Sequence, residues 1–575
     1  MAKALRSNFE PGSPREAVRR AQWKALGLSD DDMLKPKIAV VNSSSELAIC
    51  FSHLDGIAKV VKEAVREAGG LPFEIRTAAP SDFIVSAGAG GGYMLASRDL
   101  IVNDMEIAIE GAQLDGMICL SSCDKTPPAH LMAAGRFNIP SILVICGYQP
   151  SGHYEGKHVD IEEVFIGSVQ AMFGKLSKET LAGMCDHAIT GPGVCAGMGT
   201  ANSMHIVCEA LGMTLPGAAP VLANSPRMFE IARQSGRRII EMVWEDLTPR
   251  RIMTAGSFRN AVASVLAVSG SINCIKHLQA TAVEAGVEVD VFALFNELGD
   301  WVPVLSAVAP NGPDTIDAFE AAGGAQALLK QLESVLDDRA LTVTGRTMSE
   351  NLAKVSIANA DVIRPMTRPF SPGASIVVLH GSLAPDSAIV KPGLRVPGQP
   401  LRFTGTAVVY DDVPGAIAGV QKGELKPGGV LVLRGCGPKG GPAMAGSASR
   451  VVFAIYAAGL ENDVAFVSDG QLSGLCNKGL TIAEVSPESA VGGPLSLVEN
   501  GDRIAIDVDA HTLDLDVPEA ELTARRARRG DPTPATSTGY LSIYQRVVQP
   551  MSTGAVLLTR DATPRPSHPD KARRA

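Results

Sequence analysis

The sequence has no apolar run approaching the ~18 residues that a bilayer crossing needs, so nothing in it reads as a transmembrane helix. Its start, MAKALRSNFEPGS, carries no apolar stretch of the secretory kind, and a cytoplasmic location is expected. A basic face is also missing. The net charge of −9 argues against a nucleic acid or an anionic membrane as partner. No CxxC pair is present, so cysteine spacing alone supports no metal site. No G-x-S-x-G elbow occurs, and no G-x-G-x-x-G follows an early strand with an acidic residue beyond it. A nucleotide-binding Rossmann enzyme is therefore a poor reading. Aromatic residues are scarce at 5%.

Glycine (58) and proline (37) are plentiful, which predicts many turns and close backbone approaches. The 575 residues exceed what one core organises, about 250–300 residues. Two large domains are expected: an N-terminal α/β domain over 1–365 and a C-terminal β-rich, barrel-like domain over 366–560. A polar, basic tail over 561–575 reads as disordered. The basic run Arg525 to Arg529 reads as a solvated helix face.

Strand and helix signals alternate early in the chain. Lys37–Val41 and Pro140–Cys146 read as buried strands, and so does Asp115–Leu120. Phe51 to Ala68 has helical spacing. SSCDKTPPAHLMAAG follows a strand; Pro127 and Pro128 suit a first helical turn and Gly135 a stop. This order predicts a parallel sheet with helices on both faces, and ligands bind such sheets at the carboxyl ends of the strands. The middle of the chain reads as helical, and Thr342 to Pro372 shows little periodicity. Beyond it come short strands: Ala374–Leu379, Ala407–Tyr410, Val430–Leu433, Val464–Val467, Arg503–Val508 and Thr512–Val517. One helix is expected near Ser447–Ala458, and the whole reads as a barrel or sandwich.

Ten cysteines in a cytoplasmic chain are expected as buried thiols rather than disulfides. Three of them stand apart, in Gly-, Ser- or Pro-rich loops: Cys50 in NSSSELAICFSHLDG, Cys123 in LSSCDKTPP and Cys195 in GPGVCAGMGTANSM. Backbone N–H groups in such loops can bond cluster sulfurs. Cys119, Cys146, Cys185, Cys208 and Cys274 lie in apolar or helical settings and default to packing. Asp124 and Lys125 follow Cys123 at the ligand-binding end of a strand. Asp82, in APSDF, reads by itself as a turn or helix-capping residue. Ser473 follows the strand VAFV in SDGQLSG. GCGPKGGPAM is Gly-rich but lacks Walker spacing.

Together these segments resemble the dihydroxy-acid and 6-phosphogluconate dehydratase family, which includes sugar-acid dehydratases. The likeness runs from about Leu5 to Arg526 through SSSELAIC, APSDF, SSCDKTPPAHLMAA, GPGVCAGMGTANSM, GSINCIKHL, GSLAPD, GPKGGPAM, SDGQLSG and VSPESAVGGPLSLVENGD. It implies a hydro-lyase that turns a 2,3-dihydroxy carboxylic acid, a sugar acid (aldonate) or a related acid, into a 2-oxo-3-deoxy acid; the altered loops fit a catabolic or secondary-pathway substrate better than branched-chain biosynthesis. It also implies that Cys50, Cys123 and Cys195 hold a [2Fe–2S] cluster, or [4Fe–4S] as in some members. Asp82, Asp124 and a carbamylated Lys125 would hold Mg²⁺, and Ser473 would be the base. A homodimer or homotetramer is implied too. The chain departs from the family pattern at several places. Gly446 stands where a Mg²⁺-binding Glu is usual, Gln471 where the serine turn carries Arg, and Glu484 where HVSPEA carries His. Gly446 keeps a second reading open, a cluster-binding paralogue without dehydratase activity, serving as sensor or scaffold.

Overall fold

A computed structural model of the chain describes residues 4–394, 401–440, 448–532 and 537–557. The expected disordered tail lies outside the described residues. Strands β1 (Lys37–Asn42), β2 (Leu71–Arg76), β3 (Gly116–Ser121) and β4 (Ser141–Ile145) form a parallel sheet in the order β2-β1-β3-β4. β1, β3 and β4 are buried at every position, which is why they read as unbroken apolar runs. Helix Leu54–Glu67 buries Leu54, Ile57, Ala58, Val61, Ala64 and Val65 along one stripe and packs with helix Pro226–Glu245. A second group joins helices Thr126–Phe137, Tyr93–Ala112 and Asn273–Ala285.

Three expectations are corrected here. Gly135 does not stop its helix, which runs on to Phe137 and ends at a left-handed Asn138. Instead it lets the helix touch the next one, because a Cβ there would lie 2.9 Å from the Ala285 nitrogen. Cys185 is not packed: helix Lys178–His187 has no buried residue and that thiol is exposed. The basic run is only partly solvated. Arg525 is 9% exposed and grips Asp502 and the Leu497 carbonyl.

A hairpin, β5 (Gly152–Tyr154) with β6 (Lys157–Val159), precedes the long helical middle. The second sheet has eight strands: β7 (Val377–Leu379), β8 (Ser387–Val390), β9 (Arg402–Tyr410), β10 (Gly429–Leu433), β11 (Ala465–Ser468), β12 (Leu480–Ser486), β13 (Arg503–Asp507) and β14 (Thr512–Asp516). Their order is β14-β13-β9-β10-β11-β12-β8-β7. β9 to β12 run parallel and the flanking strands antiparallel. His380, just past β7, bonds to His511 and Leu513 beside β14, so the sheet edges meet as a barrel. Valine, leucine and isoleucine fill it. The helices outside it, Val413–Gln421 and Ser449–Ala458, bury Ala416, Ile417, Val451 and Phe453 in the core of the first half.

The end of the chain returns to that half. Helix Gly539–Val547 places Leu541 and Tyr544 on Leu95 and Ala96. Buried Arg98 donates to the Gly554 and Ala555 carbonyls at 3.0 and 2.7 Å. Among the described residues no helix is long and apolar enough to cross a membrane.

Candidate active site

Both sheets present chemistry at the carboxyl ends of parallel strands. Cys50 lies in the loop after β1, Cys123 in the loop after β3, and the Ser473 turn follows β11. Each of the three loop cysteines also sits just ahead of a helix: Leu54–Glu67 after Cys50, Thr126–Phe137 after Cys123, Thr200–Ala210 after Cys195. Helix starts carry partial positive charge, which favours thiolates.

The three thiols converge. Contact with the Cys50 thiol, then burial, then the charges of Cys50, Asp124 and Cys195 push the Cys123 thiol well above its ordinary value. Burial, Asp124 and Cys50 do the same to Cys195. Neighbouring backbone is pinned around them. Ser122 Oγ donates to the Cys50 carbonyl, and His205 Nε2 meets the Ser122 carbonyl at 3.0 Å. Asn202 Nδ2 donates to the Cys195 and Gly197 carbonyls at 2.8 and 2.9 Å. Cys123 and Cys195 resist ionisation as they stand beside Cys50, which suits a cationic centre that would pull the thiols to thiolates.

Beside them is a harder donor set. Lys125 is fully buried; its Nζ donates to Asp82 at 2.6 Å and lies 3.9 Å from Asp124. Burial pulls the ammonium down, but Asp82 and Asp124 more than offset it and its pKa is raised. Burial, aided by Asp124, pushes the Asp82 carboxyl up to about 7 against the pull of Lys125. Asp82 Oδ1 is buried without a hydrogen-bond partner. Asp82 opens the short helix Asp82–Val85, behind its cap residue Ser81. The ammonium thus stands between two carboxylates where a cation or a carbamate-bridged cation fits. Gly446 lies outside the described residues.

Ser473 reaches the same cavity from the other half. Asp82, Cys123, Asp124, Cys195, Gln471 and Ser473 line it together, while Cys50 and Lys125 stand behind that wall. The Ser473 N–H donates to Ser449 Oγ at 2.7 Å. Gly474 lets the turn press home: a Cβ there would lie 2.7 Å from the Thr200 nitrogen and 2.5 Å from Ser271 Oγ. Phe83, Met94, Phe165 and Leu475 add apolar surface to the cavity lining, with the Phe83 and Phe165 rings edge to face at 5.7 Å.

The seven residues singled out in the sequence therefore meet at one place. Those the sequence reading passed over are Asn202, Thr200 and Asn273, which line the cavity; Asn202 and Asn273 hold backbone carbonyls, and Thr200 holds Asn273. The signal was present: Asn202 and Thr200 belong to a helix whose eleven residues are all buried, where a polar side chain needs a partner.

Fold and cavity define a class, an α/β enzyme in which two halves of one chain close over a small site where thiols and carboxylates meet apolar side chains. Residues 35–351 and 361–555 match the N- and C-terminal models described as Dihydroxy-acid/6-phosphogluconate dehydratase. The chain belongs to that family, and is a hydro-lyase. It is 42% identical over 556 residues to a dihydroxy-acid dehydratase of Methanococcoides burtonii, covering 96% of this chain and 100% of the relative. A dihydroxy-acid dehydratase of Moorella thermoacetica is 39% identical, again over 96% and 100%. "Dihydroxy-acid dehydratase 1" of Methanosarcina acetivorans is 41% identical with the same coverage.

Proposed function

We propose that the enzyme dehydrates a 2,3-dihydroxy carboxylate to a 2-oxo-3-deoxy acid in the cytoplasm, as a homo-oligomer, at this cavity. The observation that carries it is the meeting of Cys50, Cys123 and Cys195 with Asp82, Asp124 and Lys125 under Ser473. Residues 1–365 supply the ligands and 366–560 the base.

The thiolates of Cys50, Cys123 and Cys195 would hold an iron–sulfur cluster, [2Fe–2S] in this reading. Asp82, Asp124 and Lys125 as its carbamate would hold Mg²⁺. When bound, these groups supply a Lewis acid for the leaving hydroxyl and positive charge for the substrate carboxylate. Ser473 Oγ, as alkoxide, takes the proton from C2. The electron pair of that C–H bond becomes the C2–C3 double bond as the C3 hydroxyl departs. Hydroxide and that proton leave as one water, and the enol tautomerises to the 2-oxo acid. Asn202 and the glycines beside it keep the cavity wall at backbone level, so that the acid can approach closely.

Between an aldonate and an acid with an alkyl end, the apolar lining from Phe83, Met94, Phe165 and Leu475 favours the alkyl acid. The assay is 2-oxo acid formation by anaerobically prepared protein with and without Mg²⁺, comparing 2,3-dihydroxy-3-methylbutanoate with gluconate. Mg²⁺-dependent turnover of the branched acid is expected. Preference for gluconate would return the substrate to the sugar acids, and iron-loaded protein inert toward both would contradict dehydration at this site.

A further inference from the structure

Behind the serine turn lies a buried ring of polar groups that the reaction scheme does not use. Lys276 and Glu484 are both fully buried, one on helix Asn273–Ala285 and one on β12, and they form an ion pair across the two halves. Lys276 Nζ also donates to Asn273 Oδ1. Asn273 Nδ2 in turn donates to the Leu472 carbonyl at 3.0 Å and to Thr200 Oγ1 at 3.0 Å. The ring closes through the Glu484 N–H, which donates to the Gly470 carbonyl at 3.1 Å. Both ends of the ring therefore grip the segment Gly470 to Leu472 that delivers Ser473.

A buried ion pair is a weak source of stability, since two desolvated charges are often matched by an apolar pair. Here burial pushes Lys276 down to about 8 and Glu484 up, each against the pull of the other. Glu484 also holds a left-handed backbone, φ +55, next to the register shift between Ala483 and Ser486. A carboxylate on a strained backbone, matched to one lysine 208 residues away, does more than fill space.

We propose that Lys276 and Glu484 are a positioning pair for Ser473: the ammonium, fixed by Glu484, orients the Asn273 carboxamide, which holds the Leu472 carbonyl and so aims the serine at C2. This rests on the reading of Ser473 as base. An amide that lost its partner on Oδ1 could rotate or flip, releasing the carbonyl and with it the turn.

Lys276→Met alone leaves a carboxylate buried without its counter-charge and is expected to fold less well. The neutral double variant Lys276→Met/Glu484→Gln carries the test, with Glu484→Gln and Ser473→Ala alongside. The readouts are kcat, KM, visible cluster absorbance and the isotope effect with 2,3-dihydroxy-3-methylbutanoate deuterated at C2. The double variant is expected to keep cluster absorbance and a KM within two-fold. Its kcat falls ten-fold or more and its isotope effect rises, because proton removal has become slower. Unchanged kcat and isotope effect in the double variant, with Ser473→Ala inactive, would overturn the positioning role and leave the serine reading standing. Turnover retained in Ser473→Ala would remove the base assignment and this proposal together.

Discussion

The two halves deliver their groups to the cavity in different ways. In the first half the proposed ligands are held locally: each of the three loop cysteines leads into a helix of its own, and Lys125 is clamped by Asp82 and Asp124. The serine turn of the second half is held from both halves: Ser449 and Glu484 bond it from within, and the first half grips it from outside. Asn273 grips the Leu472 carbonyl, and Gly474 lies against Thr200 and Ser271. The proposed binding groups can thus be organised before the halves meet, whereas the proposed base takes part of its aim from their contact. Lys125 and Lys276, both fully buried, repeat the contrast. Two carboxylates raise Lys125, while one carboxylate fails to offset burial at Lys276.

Substitutions can break this division. Ser473→Ala should lower kcat by about 10³-fold, within the usual range for a general base, and leave cluster absorbance intact. Bleaching by that variant, read in the visible spectrum, would show that the turn also holds the ligands. Next in size is Asp82→Asn. It removes one carboxylate from the Lys125 clamp, so the Mg²⁺ concentration for half-maximal rate should rise by about ten-fold or more. Titration of activity against Mg²⁺ measures this, and an unchanged midpoint would take Asp82 out of the ligand set. Gly474→Ala sharpens the comparison. Its methyl group forces the turn away from Thr200, so kcat should fall several-fold with iron content unchanged. The smallest effect is expected from Arg525→Ala, which frees Asp502 on the barrel: the melting temperature drops a few degrees and kcat of the folded protein stays the same.

The sequence made one part of this legible and hid another for physical reasons. β1, β3 and β4 announced themselves because burial on both faces leaves unbroken apolar runs. The proline pair at 127 and 128 marked a helix start, and the loop cysteines stood out against apolar neighbours. β8 and β12 went unread. β8 is only Ser387–Val390, and β12 carries polar Thr481, Glu484 and Ser486 in fully buried positions. Glu484 and Ser486 meet partners far along the chain, Lys276 and Asp386, which no local pattern records. Glu484 is the clearest case: as a departure from the family motif it was visible, but its partner Lys276 was not. Gly135 misled because a glycine at a helix contact looks, in sequence, like one at a helix end.

The central claim is that Cys50, Cys123 and Cys195 hold one iron centre. Iron and sulfide analysis of anaerobically prepared protein tests it, with each cysteine replaced by serine in turn and core Cys146→Ala as control. About two irons and two sulfides per chain are expected in the parent and the control, and loss of both in each of the three serine variants. Iron at parental levels in any of the three, or a parent without iron after reconstitution, would contradict it.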